Sequence, residues 1–279
     1  MLISRLPRPA LRPFVKTLWV TAPANGQPLV EGAREHVLPT GGMHLVFRLN
    51  EAPLRLFNDI DDASGFTIGH AVVGGARSTF YVRDVSTPSC SVGAQLHPGV
   101  AEILFGATAD ELSERHTSLE DLWGVSASVA RERLLEAGGP QQQLAVFEAL
   151  LAIRLPAVRG LHPAVAQAIG QFATTNNIRE VVKQSGYSHR HFIALFRRAV
   201  GLPPKAYCRI LRFQAVLDRI ARGETVSWAD LAMDCGYSDQ AHFNREFREF
   251  AGIAPEVYRK LSPAFAHHAS IDLKKQRHT

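Results

Sequence analysis

Two segments of the chain carry polar and basic side chains in a repeated spacing that suits contact with a polyanion. Residues 178–207 and 228–258 both contain Gly-Tyr-Ser, and beyond it five positions match at a constant offset of 51. The matching pairs are Phe192/Phe243, Phe196/Phe247, Gly201/Gly252, Pro204/Pro255 and Tyr207/Tyr258. The second copy has one extra residue directly after its Gly-Tyr. The repetition indicates two copies of one structural unit.

Each copy has the pattern of two helices joined by a tight turn. A short helix, at about 178–185 or 227–235, is expected to end at a glycine, because glycine can take the left-handed conformation. Ser188 or Ser238 is then expected to cap a second helix. Two phenylalanines four positions apart share one face of that helix and must face the core. The other face is polar, which is the geometry of a helix-turn-helix unit whose second helix enters the DNA major groove.

The polar faces supply the candidate DNA contacts. Arg245 is the strongest candidate for reading a base, because arginine can bind guanine O6 and N7 together; a phosphate contact or an internal ion pair is the alternative. Gln240 is a candidate for reading adenine, and the serines and remaining arginines are expected to position the DNA backbone. The predicted DNA-binding residues are Ser188, His189, Arg190, Ile193, Ala194, Arg197, Arg198, Ser238, Asp239, Gln240, Ala241, Asn244, Arg245 and Arg248.

The charge distribution favours the same half of the chain. Residues 1–160 carry 14 Lys/Arg against 16 Asp/Glu, whereas residues 161–279 carry 17 against 10. A basic half is consistent with a polyanionic partner, although a solvated basic surface has the same composition. Double-stranded DNA is therefore the predicted partner of the C-terminal half.

Residues 230–259, DLAMDCGYSDQAHFNREFREFAGIAPEVYR, resemble the AraC/XylS family of transcriptional regulators. The resemblance covers roughly residues 160–262 and implies a seven-helix domain with two recognition helices in successive major-groove segments, joined by a connector helix at 205–223. The positions that match the family's base-reading slots are Arg190, Ile193 and Ala194 in the first unit and Gln240, Ala241 and Arg245 in the second. Ile193 and Ala194 cannot donate hydrogen bonds, so the first unit is expected to read thymine methyls or shape, or to bind phosphates.

The N-terminal half is predicted to be β-rich, which gives an α+β fold class. Segments 15–20, 44–50, 65–75 and 78–85 are rich in β-branched and aromatic residues and are bounded by Pro and Gly. From about residue 99 the pattern becomes helical, including 109–116, with Ser118 at a helix N-cap. We expect a cupin-like or related β-domain with trailing helices at 1–155, a linker at 156–163, an all-α double helix-turn-helix domain at 164–262 and a tail at 263–279.

An enzyme with a β-rich catalytic half and a regulatory helical appendage is the alternative function. The sequence contains no Gly-rich phosphate loop, nucleophile elbow or CxxC pair. The histidines of the N-terminal half, His36, His44, His70, His97 and His116, lack the His-x-His spacing of catalytic cupins. We therefore predict a transcriptional regulator and no enzyme, cofactor or metal site.

The remaining expectations concern partners and location. No segment approaches the ~18 uninterrupted apolar residues of a membrane span, and residues 1–14 do not resemble a signal peptide. Cytoplasmic residence without membrane contact is the expectation. A small-molecule effector bound by the β-domain is one further partner considered, and a second copy of the chain, paired through helices within 126–154, is the other.

Overall fold

The N-terminal half is built from two facing antiparallel sheets. The computed structural model describes residues 2–22, 31–88, 90–155, 161–224, 226–263 and 265–271. Its strands are β1 (Leu2–Arg5), β2 (Val15–Thr21), β3 (Arg34–Val37), β4 (Met43–Arg48), β5 (Leu54–Phe57), β6 (Phe66–Gly69), β7 (Ala71–Gly74), β8 (Tyr81–Asp84), β9 (Ser91–Leu96), β10 (His116–Ser118) and β11 (His268–Ile271). The first sheet has the order β1-β2-β9-β4-β7-β10 and the second the order β11-β3-β8-β5-β6. The expected β-rich domain is confirmed.

The first sheet packs its apolar face against four helices rather than against the second sheet. These helices are α1 (Ala101–Phe105), α2 (Leu119–Trp123), α3 (Val125–Leu135) and α4 (Pro140–Arg154). Alternate residues of the strands, such as Leu45 and Phe47 on β4, are fully buried. The Phe47 ring meets the Phe147 ring of α4 edge-on, with their centroids 5.8 Å apart. The main core of this domain therefore lies between sheet and helices, and the opposite face of the sheet is directed toward the second sheet.

Seven helices form the C-terminal domain, as the family resemblance implies. They are α5 (Pro163–Phe172), α6 (Ile178–Gln184), α7 (His189–Val200), α8 (Pro204–Ala221), α9 (Trp228–Asp234), α10 (Gln240–Ala251) and α11 (Pro255–Leu261). Helices α6 and α7 make the first helix-turn-helix unit, α9 and α10 make the second, and α8 is the connector. The core of the first unit is separate, whereas the core of the second is continuous with that of the N-terminal domain.

Three local expectations differ from the structure. Residues 109–115 form turns instead of a helix, and His116 begins the edge strand β10. Ser118 precedes α2 but its hydroxyl donates to Glu120 and caps no backbone N–H. The segment expected to be a tail returns to the N-terminal domain, where β11 pairs with β3 from His268↔Val37 to Ile271↔Arg34. Most of the predicted linker, 156–160, and residues 272–279 lie outside the described residues.

Within the described ranges, no helix has both the length and the hydropathy needed to cross a membrane.

Candidate nucleic-acid interface

Side-chain caps fix the start of all four helices of the two helix-turn-helix units. Asn177 accepts a hydrogen bond from the Glu180 N–H at the start of α6, and Ser227 accepts one from the Asp230 N–H at the start of α9. Ser188 caps α7, as expected, by accepting from the His191 N–H. The cap of α10 is Asp239, not Ser238: the Asp239 carboxylate accepts from the His242 N–H at 2.7 Å. The extra residue after Gly-Tyr in the second copy moves the cap forward by one position, so the caps obey the offset of 51.

The Asp239 cap has a perturbed acidity. Hydrogen bonds from the His242 backbone and the Ser238 hydroxyl lower the pKa of its carboxyl, and the nearby Arg245 charge acts in the same direction. A carboxylate at a helix N-terminus is also favoured by the helix dipole. Asp239 and Ser238 are therefore tied to each other and to the start of α10, where the predicted contact surface begins.

The exposed face of α7 is basic at its first and third turns. His189, Arg190, Ala194 and Arg197 are exposed, whereas Ile193 is half-buried. Phe192 and Phe196 lie on the opposite face and are fully buried, as the spacing predicts. The polar face of α7 is thus free on the side away from the core.

Arg198 lies at a different boundary. Its guanidinium forms an ion pair with Glu102 of α1, with Nη2 and Oε1 2.8 Å apart, and its carbonyl accepts from the Ala109 N–H. The ion pair is exposed at both ends, so water screens it and it contributes little to stability. Arg198 therefore faces the N-terminal domain, in contrast to the other predicted residues of α7.

The exposed face of α10 presents Gln240, Ala241, Arg245 and Arg248, while Asn244 is half-buried. The Asn244 side-chain oxygen has no hydrogen-bond partner within the described ranges. The internal ion pair considered for Arg245 does not form, because Glu246 and Glu249 bind Arg209 and Arg212 of the connector instead. The Arg245 guanidinium is therefore uncommitted to the acidic residues beside it.

Glu246 is the anchor that fixes the orientation of α10, and sequence reasoning did not identify this role. Its side chain is only 3% exposed and contacts Arg209 at 2.7 Å and Arg212 at 3.3 Å, both on α8. His242, one turn earlier, lies 3.7 Å from the same carboxylate. Because Glu246 follows Arg245 directly, its burial turns the Arg245 side of the helix outward. The sequence signal for this anchor was a pair of arginines three residues apart on the connector, Arg209 and Arg212, which share one helix face and need a carboxylate partner.

Both recognition helices rest their C-terminal ends on the N-terminal domain. Gly201 and Gly252 close α7 and α10 in the left-handed conformation, with φ of 89° and 72°. A Cβ on Gly201 would lie 2.9 Å from the Ala109 carbonyl oxygen, and one on Gly252 would lie 2.5 Å from the Phe80 ring. His36, stacked on Phe80, contacts the Ala251 carbonyl through Nδ1 at 2.9 Å. The N-terminal domain therefore contacts the two units at equivalent points, the C-terminal ends of α7 and α10.

Comparison with known proteins assigns a type to each half of the chain. Residues 181–261 match the family described as "Helix-turn-helix domain", and residues 4–118 match a "Domain of unknown function (DUF6597)". Over 99 residues the chain is 33% identical to the invasion protein InvF of Salmonella typhimurium, a match that covers 35% of this chain and 44% of InvF. Over 90 residues it is 26% identical to the HTH-type transcriptional activator AarP of Providencia stuartii, covering 32% of this chain and 66% of AarP. The chain therefore spans less than half of InvF and about two thirds of AarP.

A solved structure with a similar course of the chain is that of apo ToxT from Vibrio cholerae. It superposes with a TM-score of 0.49 at 13% identity and covers 88% of this chain and 98% of ToxT.

Proposed function

We propose that the protein is a sequence-specific DNA-binding transcription regulator and not an enzyme, because residues 181–261 match a helix-turn-helix domain and resemble the AraC/XylS regulators. Its two recognition helices, α7 and α10, contact adjacent major-groove segments of one duplex. The proposal places the protein in the cytoplasm, because that compartment gives it access to chromosomal DNA.

The observation that carries this proposal is the pair of outward-facing basic helices held by one body. Arg190 and Arg197 on α7, and Arg245 and Arg248 on α10, are exposed and form no salt bridge with any residue that the structure describes. Elsewhere in the domain Arg209, Arg212, Arg219 and Arg222 are paired with carboxylates. Four free guanidiniums thus lie on the two helices that fit a groove. Arg179 on α6 and Arg259 on α11, which stacks on Trp228, likewise have no carboxylate partner among the described residues.

Base reading belongs to α10 and phosphate binding mainly to α7. On α10, Arg245 reads guanine and Gln240 reads adenine. Asp239, Ala241 and Asn244 lie beside them and face the same stretch of the major groove. On α7, Arg190, His189 and Arg197 bind phosphates while Ile193 and Ala194 meet thymine methyls or follow DNA shape. Ser188, Ser238 and Arg248 position the backbone, and Arg198 reaches the DNA only if its pair with Glu102 opens.

Selection of bound duplexes from a random pool tests the proposal directly. The full chain is expected to enrich one sequence, with log affinity falling steeply as log salt rises. Arg245→Ala is expected to lower affinity for that sequence by about tenfold to a hundredfold and to relax the choice at one base pair. Arg222→Ala is the control, because this exposed arginine lies at the end of α8, outside both recognition helices.

Uniform weakening of all sequences by Arg245→Ala would mean that Arg245 binds phosphate, and the base assignment would be wrong. No enrichment and no salt-dependent binding to any duplex would contradict the regulator function itself.

The N-terminal domain is the sensor half of this regulator. We propose that a small-molecule effector binds in the cavity between its two sheets, one wall of which includes β11. The same domain contacts the C-terminal ends of α7 and α10, so binding in the cavity can affect both helices. An effector that shifts this domain relative to the helices changes the fit of the two units to DNA. The corresponding measurement is the DNA affinity with and without the effector. The effector is expected to change the affinity of the native chain and to leave unchanged that of a variant whose cavity is filled by larger side chains.

A second copy of the chain is the other proposed partner. The helices expected to form a dimer seam pack on the β-domain through their inner faces, but Val125, Val129 and Ile153 remain 80%, 47% and 74% exposed. Val125 and Val129 are one turn apart on α3 and so share a face. We propose that this apolar face pairs two copies. Sedimentation of the full chain should show a dimer that Val129→Lys dissociates, whereas a monomer at all concentrations would contradict pairing.

A further inference from the structure

The two sheets of the N-terminal domain enclose a cavity of about 1800 Å³. Most ligand pockets have about 300–1,000 Å³, so this one has room for a sizeable ligand and water. Its walls are the inner faces of both sheets, including β11, and they combine apolar surface with basic and other polar side chains. The chemistry of these walls identifies the class of ligand; the inference rests on the proposed sensor role of the domain.

A row of directly paired residues crosses the floor of the cavity. His116 on β10 pairs with Gly74 on β7, which pairs with His44 on β4, which pairs with Gln95 on β9. Paired residues of neighbouring strands point to the same face, so all four positions face the cavity. The Cα atoms of the two histidines are about 10 Å apart, because two strand spacings of ~4.8 Å separate them. Since Gly74 has no side chain, a gap lies between the two rings.

The His116 ring turns a donor toward this gap. Its Nδ1 lies 3.3 Å from the Arg77 guanidinium, and a guanidinium can only donate, so Nδ1 must accept. The proton of the neutral ring is therefore on Nε2. That atom would lie 3.6 Å from a Cβ built on Gly74, so the N–H is beside the gap above the glycine. Tyr81 holds the ring from the second sheet, with their centroids 4.4 Å apart.

Arg77 brings a positive charge to the same end of the cavity. Its Cζ atom lies 5.3 Å from the centre of the Tyr81 ring, and its Nε is buried without a hydrogen-bond partner among the described residues. It forms no salt bridge with a carboxylate in that part of the chain; the contact that the structure gives it is with the neutral His116 ring. Glu114 lies near enough to favour the Arg77 charge but forms no salt bridge with it among the described residues. A half-buried guanidinium without a carboxylate partner is costly unless an anion completes it.

The other charges of the cavity do not compensate this one. Glu35 is bound to Arg83 and to His268, whose Nδ1 lies 3.0 Å from the carboxylate. Burial alone would raise the pKa of the Glu35 carboxyl, but Arg83 and His268 outweigh that effect and lower the pKa to about 2. Asp84 pairs with Arg55 at 3.7 Å. Arg34 and Arg48 donate to backbone carbonyls and, like Arg77, have no carboxylate partner within the described ranges. The lining as a whole carries five cationic side chains against four carboxylates, Glu31, Glu35, Asp84 and Asp218, so the excess is one positive charge, and none of these carboxylates forms a salt bridge with Arg77.

We propose that this cavity binds an organic anion, with its acid group above Gly74 between His116 and His44 and beside the Arg77 guanidinium. The acid group accepts from His116 Nε2 and from the guanidinium, and the body of the ligand lies along Val46, Val72 and Trp19, which face the same space. A cation is disfavoured by the excess of arginines.

Two fluorescent probes that share one aromatic body test the class of ligand. 8-Anilinonaphthalene-1-sulfonate carries an acid group and N-phenyl-1-naphthylamine lacks it. With the full chain, we expect the sulfonate to bind at least about tenfold more tightly, the size of one charge-assisted hydrogen bond. Arg77→Gln is expected to remove that advantage while leaving the affinity for the neutral probe unchanged. Arg12→Gln is the matched control, because Arg12 is an exposed arginine of the same domain that donates to the Pro7 carbonyl and does not line the cavity.

A second variant closes the site without changing a charge. Gly74→Val is expected to abolish sulfonate binding, because its methyl groups would occupy the gap, and a β-branched residue suits a central strand. If that variant does not fold, the comparison of Arg77→Gln with Arg12→Gln still decides the question. Equal binding of the two probes, sulfonate binding that Arg77→Gln leaves unchanged, or no binding of either would each overturn the inference. DNA selection by the same preparations is scored separately, so loss of DNA binding with intact sulfonate binding would count against the regulator function alone.

Discussion

Gly201 and Gly252 occupy equivalent positions in the two repeats and make equivalent contacts with one N-terminal domain. Each ends a recognition helix with a positive φ, and each lies where a Cβ would overlap a neighbour from that domain, the Ala109 carbonyl for Gly201 and the Phe80 and His36 rings for Gly252. The two copies of the repeat in the C-terminal domain therefore contact two different sites on the N-terminal domain, which is not itself duplicated.

Gly252→Ala is expected to destabilise the protein strongly. The substitution forces a left-handed conformation on alanine, at about 1 kcal/mol, and places its Cβ 2.5 Å from the Phe80 ring, which adds a comparable or larger cost. Chemical unfolding of the full chain measures the change. Gly106→Ala is the control, since Gly106 ends α1 with the same φ of 72° but has open space around it. Equal losses from the two substitutions would show that the contact with Phe80 carries no energy.

Glu246→Gln is expected to lower the free energy of unfolding by about 3 kcal/mol, because it removes the charge that two buried arginine contacts require. Glu249→Gln changes the same chemical group beside the same Arg209, but Glu249 is 49% exposed, so a loss below about 1 kcal/mol is expected. Urea titrations of both variants give the comparison. DNA affinity should fall only in the first, since only Glu246 fixes α10; a larger effect at Glu249 would contradict the anchor.

The stability of the ligand-free protein is expected to fall as the pH drops from about 7 to about 4.5. Burial and neighbouring charges lower the pKa of His44 to about 4, of His116 to about 3 and of His267 to about 4. In this range the unfolded chain takes up protons on these histidines and the folded chain does not, so each contributes a loss of up to about 1.4 kcal/mol per pH unit. The groups that face them are Lys16, Arg77, Tyr81, Arg83, Asp218 and His268.

Unfolding titrations at several pH values check this dependence. His116→Asn is expected to flatten it, and His70→Asn, which replaces a half-buried histidine whose ring contacts the Glu51 carbonyl, is the comparison variant. A pH profile that is identical in the His116→Asn variant and the native chain would mean that this ring titrates normally in the folded state.

Removal of residues 265–279 is expected to expose β3 to hydrogen exchange. Strand β11 pairs with β3 along its length, the His267 carbonyl accepts from the Leu38 N–H, and the Tyr258 hydroxyl of α11 donates to the Ala266 carbonyl. Without this strand, β3 becomes an edge strand and its outer amides face water. Tyr258→Phe, which removes only the hydroxyl, is the milder comparison. Full protection of the β3 amides after truncation would show that the strand contributes little to the docking.

The local pattern of the sequence was sufficient for the DNA-binding domain because its determinants are close together in the chain. Helix ends follow from Gly201 and Gly252, buried faces from pairs of phenylalanines four residues apart, and caps from Ser188. The cap of α10 was placed one residue too early, at Ser238, because serine and aspartate are equally good N-caps and composition cannot separate them. The predicted DNA contacts themselves remain predictions.

The N-terminal site depends on contacts between distant positions, which local patterns do not contain. Strands β2, β4 and β8 were predicted, but not that the inner face of their sheets would be basic. His268 reaches Glu35 across 233 positions, and Arg77 reaches His116 across 39. The expected helix at 109–116 failed because pairing of His116 with Gly74 in the sheet replaced local helical hydrogen bonds.

The contacts at Gly201 and Gly252 bear on how the proposed regulator would distinguish DNA sites that differ in the spacing of their half-sites. Because one domain contacts both helix ends, we expect the distance between the two half-sites of the proposed DNA site to depend on Phe80, His36 and Ala109, which lie outside the recognition helices. A substitution at these residues is then expected to alter the preferred number of base pairs between half-sites and to leave the preferred bases unchanged. The preferred spacer length would then depend on the N-terminal domain, and the preferred bases on the recognition helices.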